Sequence, residues 1–432
     1  MYINKYLSIF AIFLSILTLA SCKLLSPDKD TTAPEIQLTI AGANEISRGV
    51  TLYLDIEDDS KIDYVSVIID DTTAITVESN FDTIRFDVTP FADESEHQLY
   101  AKVADSEGNI GESEKIDIII TEYPGWRIYG DVEINNWAFN VDDNSLIWYG
   151  MVNSVNIFDP ESNTLTRLNP DNSPLNGEFI ENIKVIEGSR VWILSDRHLY
   201  EYHYELDRWI KEVELPLDST FYFDRTSFRG LAIDSDYNVW VGALYGGPNQ
   251  VLLKYDHVNI WSYSYSNIWE ITDIEVHPDG TIYLGGDPGV DYLRDNKILS
   301  FADYPYSAGD GTPVVIDSIG NVWSTAISTL GGCSRFNGDI WENILMDNSN
   351  RFLYPTFTGS NGIIYFIGNH SIITYNGNDW FIWDNTDSPF NSTLENTLKI
   401  WGDGIAEAPN GDIWMVAGEK LMRYRPSLGG YP

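Results

Sequence analysis

Apolar residues follow three successive patterns along the chain. Leu7 to Ala20 is an almost unbroken apolar run, interrupted only by Ser8, Ser15 and Thr18. That is the length of an export-leader core and too short to cross a bilayer comfortably. From Glu35 to Glu122, apolar and polar residues alternate with a period of two. Stripes at Ile36-Leu38-Ile40, Val50-Leu52-Leu54-Ile56, Val65-Val67-Ile69, Ile84-Phe86-Val88, Leu99-Ala101-Val103 and Ile116-Ile118-Ile120 predict a series of short strands. Roughly six or seven such strands in one compact stretch predict a β-sandwich. Between these two patterns, residues 23–34 are polar and aperiodic, as expected of a tether.

After Glu122 a longer unit recurs: a hydrophobic strand, a polar turn and an aromatic strand. The clearest copies are Leu231-Ala-Ile-Asp-Ser-Asp-Tyr-Asn-Val-Trp240, Val315-Ile-Asp-Ser-Ile-Gly-Asn-Val-Trp323 and Ala408-Pro-Asn-Gly-Asp-Ile-Trp414. With weaker copies, the aromatic markers fall at 148, 192, 240, 283, 323, 365 and 414, in steps of 44, 48, 43, 40, 42 and 49. A period in the forties matches one four-stranded propeller blade. A third strand follows each marker, as in Leu252-Leu-Lys-Tyr255, and a fourth carries Trp209, Trp261, Trp341 or Trp380. The copy at Trp414 reaches Arg425-Pro426 without a fourth strand, whereas Gly125-Trp126-Arg-Ile-Tyr129 is a strand without a blade. Supplying the last blade from the front would close the ring and remove two open sheet edges. The expected fold is therefore all-β: a sandwich over 35–122, then a seven-bladed β-propeller over 123–432 closed by an N-terminal strand.

Several local motifs resemble known families. Leu19-Ala20-Ser21-Cys22 resembles the lipobox of bacterial lipoproteins. The resemblance implies a signal peptide over 1–21, a diacylglyceryl group on Cys22 and a polar tether over 22–34. Lys23, rather than an acid, follows the cysteine, which by resemblance to lipoprotein sorting implies the outer membrane of a cell envelope. Leu99-Tyr-Ala-Lys-Val-Ala-Asp105-Ser-Glu-Gly108-Asn109 resembles the A-x-D-x-x-G-N hairpin of bacterial Ig-like domains, which implies an Ig-like sandwich acting as a spacer. The Asp-x-x-Gly-Asn-Val-Trp blade motif resembles two-component-regulator propeller repeats. Asn172-Ser-Pro-Leu-Asn176 and Asp387-Ser-Pro-Phe-Asn391 approximate that family's linker, with the Leu-Pro order inverted or absent. The repeat is also similar to that of streptogramin-lyase-like propellers. These resemblances imply the fold and leave the activity open.

Charge and residue inventory narrow the function. The formal net charge is −39. Nucleic-acid binding needs basic surface, so it is not expected, and contact with a membrane is expected through lipid alone. Cys333 is the only cysteine besides Cys22, so no disulfide framework is expected. Loops between blades carry aromatic and polar residues, among them Tyr222, Arg225, Trp269, Tyr304, Tyr306, Tyr354 and Trp401. Flat aromatics beside Asp, Asn and Arg at a channel mouth suit a glycan, a peptide or an envelope protein. Of the six histidines, His198 and His370 follow marker strands and are the candidates for a catalytic base; no catalytic spacing accompanies them. Asp105, Glu107 and Asn109 carry donors suited to calcium, but turn chemistry accounts for them, and neither metal nor cofactor is expected. A non-enzymatic binding lipoprotein is the expected function. A propeller lyase or hydrolase, and a structural subunit of an envelope complex, are the alternatives.

Overall fold

The aromatic markers hold one position in every repeat. Each lies in a second strand and pairs with the residue eight positions earlier: Asn140↔Trp148, Lys184↔Trp192, Ala232↔Trp240, Glu275↔Tyr283, Val315↔Trp323, Phe357↔Tyr365 and Ala406↔Trp414. All seven are buried. The computed structural model describes residues 29–429 except 43, 79, 132–137, 177–178, 187–188, 217–226, 245–251, 264–269, 288, 302–311, 326–332, 345–352, 369–370, 384–387, 390–403 and 418–419. The chain divides into two compact units, Met1–Glu122 and Tyr123–Pro432.

In the first unit, two sheets share one core. Glu35–Ile40, Gly49–Glu57 and Thr83–Asp87 form a three-stranded sheet; Glu45–Ser47, Ile116–Thr121, Glu96–Asp105, Ile62–Ile69 and Thr72–Val77 form the other, with Ile110–Glu112 added on Glu96–Asp105. Leu52 and Ile84 from the first and Val67, Leu99 and Val103 from the second are buried in a common cluster, which is what the period-two stripes predict. Three strands escaped the apolar pattern: Glu45–Ser47, Thr72–Val77 and Ile110–Glu112. The expected tether also ends earlier than residue 34, since Asn109 Nδ2 donates to the Asp30 carbonyl at 3.1 Å and Asp30 accepts from Ser60 at 2.7 Å.

Among the described residues, the second unit forms seven four-stranded antiparallel sheets. Their first strands touch in cyclic order, from Phe139–Val141 through Ile180–Ile186, Ser227–Ile233, Glu270–Val276, Val314–Ile316 and Tyr354–Thr358 to Ile405–Glu407 and back to Phe139–Val141. A ring of sheets with inner strands in sequence order is a β-propeller. The seventh sheet takes its outer strand, Trp126–Asp131, from the start of the unit, paired with Lys420–Tyr424. Trp126 is buried, its ring 4.8 Å from Tyr424 and 5.3 Å, edge-on, from Trp383 of the sixth blade.

The repeat motif has a local mechanical explanation. The aspartate six positions before a marker tryptophan bonds the turn and the indole together. Asp317 accepts from the backbone N–H of Ile319 (3.1 Å) and Asn321 (2.8 Å), from Asn321 Nδ2 (2.7 Å) and from Trp323 Nε1 (2.8 Å). Asp234 does the same for Asn238 and Trp240, and Asp142 for Leu146 and Trp148. A carboxylate that fastens a turn and satisfies a buried indole N–H sets the angle between the first two strands. The motif is thus structural. Cys333 is buried in a third strand, as its residue type suggests.

Two outcomes follow. Asp317→Ala should destabilise the propeller by about 1–3 kcal/mol, because Asn321 and Trp323 lose their acceptor. Trp126→Ala should cost about 3–5 kcal/mol by opening a cavity at the ring closure. Both are read from guanidinium unfolding midpoints; a wild-type midpoint for Trp126→Ala would show that closure does not carry the ring.

Candidate functional site

Inner strands of a propeller begin where the between-blade segments enter. In three consecutive blades that beginning is bulged at the same place. Pairing slips between Ile180 and Asn182, between Phe228 and Leu231 and between Ile271 and Asp273. The displaced residues Glu181, Arg229 and Thr272 each stand eleven positions before their marker, Trp192, Trp240 or Tyr283. A bulge leaves a residue out of the ladder and re-aims it, and bulges are enriched beside functional sites. The sixth blade has a bulge nearer its marker, at Thr356. The residues flanking the aligned bulges fasten neighbouring blades. Asn182 Nδ2 donates to the Arg229 carbonyl at 3.1 Å, and the Val314 N–H donates to Asp273 at 2.8 Å. Gly230 admits the neighbouring inner strand, since a Cβ there would lie 2.9 Å from the Ile274 side chain.

Glu181 is the bulge residue whose ionisation this geometry perturbs. Burial pushes its carboxyl up to about 7, the charge of Asp196 adds to the rise and a hydrogen bond between the two carboxyls raises it further, while Arg229 pulls it down. Asp196 is held by the first strand's own entry: its N–H donates to the Phe179 carbonyl at 3.2 Å and its carboxylate accepts the Phe179 N–H at 3.4 Å. A proton-bearing carboxyl, a second carboxyl and a guanidinium thus meet where two adjacent blades begin. Such a set can donate to a carbonyl, accept from an amine and pair with a charged side chain.

The structure treats the sequence candidates unevenly. Tyr222, Arg225, Trp269, Tyr304, Tyr306, Trp401, His370 and Cys22 lie outside the described residues. Tyr354 opens the inner strand of the sixth blade and is partly buried. His198 opens the third strand of the second blade; its ring lies 5.7 Å from Tyr200, and its backbone N–H donates to Ser195 Oγ at 3.0 Å. No described contact joins Tyr354 to His198. Sequence reasoning missed Glu181, Asp196 and Arg229. A signal did exist, in Ile-Glu-Asn-Ile183, Phe-Arg-Gly-Leu231 and Ile-Thr-Asp-Ile274, where two residues interrupt an apolar strand at constant distance from the marker.

In the sandwich, carboxylate oxygens of Asp30, Asp58 and Asp105 lie within 4.8 Å of one another, a different set from Asp105, Glu107 and Asn109. Asp105 accepts from the N–H groups of Glu107 and Asn109 and from Asn109 Nδ2. Those bonds are the turn chemistry expected of the motif.

The second unit therefore has a β-propeller fold with a perturbed buried carboxyl, Glu181, at the entry of its second blade. Solved structures agree on the fold. A streptogramin B lyase shares 12% identity at a TM-score of 0.54, covering 70% of this chain and 98% of that one. A virginiamycin B lyase from Staphylococcus aureus shares 12% at 0.53, covering 69% and 98%. A chain from the mitotic checkpoint complex shares 11% at 0.50, covering 69% and 90%. No protein-family model matches the chain, and no curated protein matches it in sequence. At such identities the likeness speaks for the fold alone.

The pH response of the fold tests the placement of Glu181. With its carboxyl raised from 4.5 to about 7, folded Glu181 keeps a proton that the unfolded chain has released. Folding stability should therefore fall as pH rises through that window, and Glu181→Gln should flatten this fall. Urea midpoints measured from pH 4.5 to pH 7 decide it; parallel curves for parent and variant would remove Glu181 from the buried pair.

Proposed function

We propose that the chain is a non-enzymatic cell-envelope lipoprotein whose propeller binds a peptide, protein or glycan partner where the inner strands begin. In this reading Cys22 carries the lipid anchor, the sandwich is an Ig-like spacer and the chain sits in the outer membrane. The observation that carries it is the aligned set of bulges. They place a carboxyl, a guanidinium and a hydroxyl on successive inner strands, a row that suits the alternating donors and acceptors of a peptide or a sugar. The inner strands of the third, fourth and fifth blades also follow directly in sequence from the segments bearing Tyr222, Trp269 and Tyr306. That one structural neighbour belongs to the mitotic checkpoint complex is consistent with a protein-binding use of this fold. Replacing Tyr222, Trp269 and Tyr306 together by Ala should abolish retention on a glycan or peptide array. Unchanged retention would dismiss this end of the ring as the binding face.

A lyase or hydrolase is the second reading, and Glu181 favours it. A carboxyl half-protonated near neutrality beside a second carboxyl can serve as general acid and base. It requires turnover that Glu181→Gln lowers by about 10²-fold or more, the usual scale for a lost acid–base group. Turnover that survives the substitution would exclude this chemistry.

A further inference from the structure

The opposite end of the ring carries the turns between first and second strands and between third and fourth strands. Every first turn has a residue at positive φ: Ser145, Ser189, Tyr237, Gly280, Gly320, Gly362 and Gly411. Six of the seven are glycine or serine, residues that fit a tight turn. The third blade alone uses a large aromatic, with Tyr237 at φ 64°. Its second turn departs in the same way. Where other blades have Asn163, Asp207, Gly338 or Gly377, the third has His257 at φ 69°. Left-handed backbone is unfavourable for bulky side chains, and such outliers persist where something else requires them.

Packing explains His257 and leaves Tyr237 unexplained. The His257 ring lies 6.0 Å from Trp192 of the second blade, and its Nε2 donates to the Tyr237 carbonyl at 2.8 Å. Tyr237, by contrast, has no ring neighbour among the described residues and is 49% exposed. Beside it Val258 is 82% and Trp261 55% exposed. Turn tips are ordinarily polar, so Tyr237 and Val258 on two hydrogen-bonded turns, with Trp261 one residue into the Ile260–Tyr263 strand that follows the second, form a patch that folding alone does not require. Carboxylates border it. Asp236 is exposed, and Asp256 accepts the Trp261 indole N–H at 2.9 Å, which holds its carboxyl well below the usual range.

We infer that the turn end of the third blade is a docking surface for a basic segment of a partner protein that carries apolar side chains among its cationic ones. Tyr237, Val258 and Trp261 cover the apolar side chains, and Asp236 and Asp256 receive the cations. The chain's net charge of −39 opposes a second copy in the same place and an anionic lipid surface alike. This surface stands apart from the inner-strand site, at the other end of the ring.

The test uses the full chain and two synthetic amphipathic helical peptides of identical spacing, one of Lys and Leu, the other of Glu and Leu. The Lys/Leu peptide should bind with a shift in tryptophan fluorescence and the Glu/Leu peptide should not. Val258→Ser with Trp261→Ser should weaken binding by about tenfold, followed by calorimetry, since exposed truncations of this kind remove contact area without touching the core. Tyr237→Gly should weaken it while leaving the thermal midpoint at or above that of the parent, because the turn prefers glycine there. Equal binding of both peptides, undiminished binding by the double variant, or self-association that the double variant abolishes would each overturn the proposal.

Discussion

Pairing of Trp126–Asp131 with Lys420–Tyr424 joins strands about 300 residues apart, and the completion of the seventh sheet depends on it. A blade is a small sheet with two faces, and each face is covered only while a neighbour stands beside it. An open arc would leave two faces and two strand edges to water. Loop-closure entropy grows only with the logarithm of length, so a pair this distant costs about 4 kcal/mol more than a local hairpin. Burial of Trp126 against Tyr424 and Trp383 offsets a cost of that size, since a large aromatic contributes several kcal/mol when buried. The closing strand therefore ties the seventh sheet to the sixth as well as to itself.

The parts of this architecture that are local were legible in the sequence. In three blades an aspartate is bonded to an indole six positions later, and in all seven an aromatic marker recurs at blade spacing, so the markers, the blade count and the incomplete last copy could be read from residue order. Strands buried on one face, such as Gly49–Glu57, leave period-two apolar stripes. Thr72–Val77 left none because it lies at the edge of its sheet and is half exposed, and Glu45–Ser47 was too short to show a period. The site was less legible because its components meet across the ring. Arg229 becomes a neighbour of Glu181 only when two blades stand side by side, and the bulges that displace both residues look in sequence like a slip in alternation. The aromatic candidates rested on composition at loop positions, which names residue types without specifying their geometry.

Departures from the local rules gather in one sector. The aligned bulges lie in the second, third and fourth blades, and both aromatic positive-φ turns lie in the third. The fifth and seventh blades keep glycine in their first turns and unbroken first-strand pairing among the described residues. Sequences that satisfy every local preference fold most cooperatively, and exceptions survive where function compensates for them. A ring tolerates such exceptions well, because each blade is held from both sides and a strained turn or slipped pair in one is buttressed by its neighbours.

Electrostatics cannot by itself decide which part of this sector a partner uses. A net charge of −39 draws cations towards the whole molecule and falls off within about a Debye length, roughly 8 Å at physiological salt. Attraction of that kind raises encounter rates and leaves selectivity to short-range features. Two such features differ in kind here. At the inner-strand end, Glu181 sits beside both Asp196 and Arg229, so its charge responds to whatever enters and to pH. At the turn end, Asp256 stays ionised under the Trp261 indole, beside the exposed Val258. The first end is suited to a ligand whose binding shifts a proton, the second to a cationic surface held by buried area. The two ends of the acidic ring therefore differ in how their charge is held, the first by coupled carboxyls and a guanidinium, the second by an indole N–H.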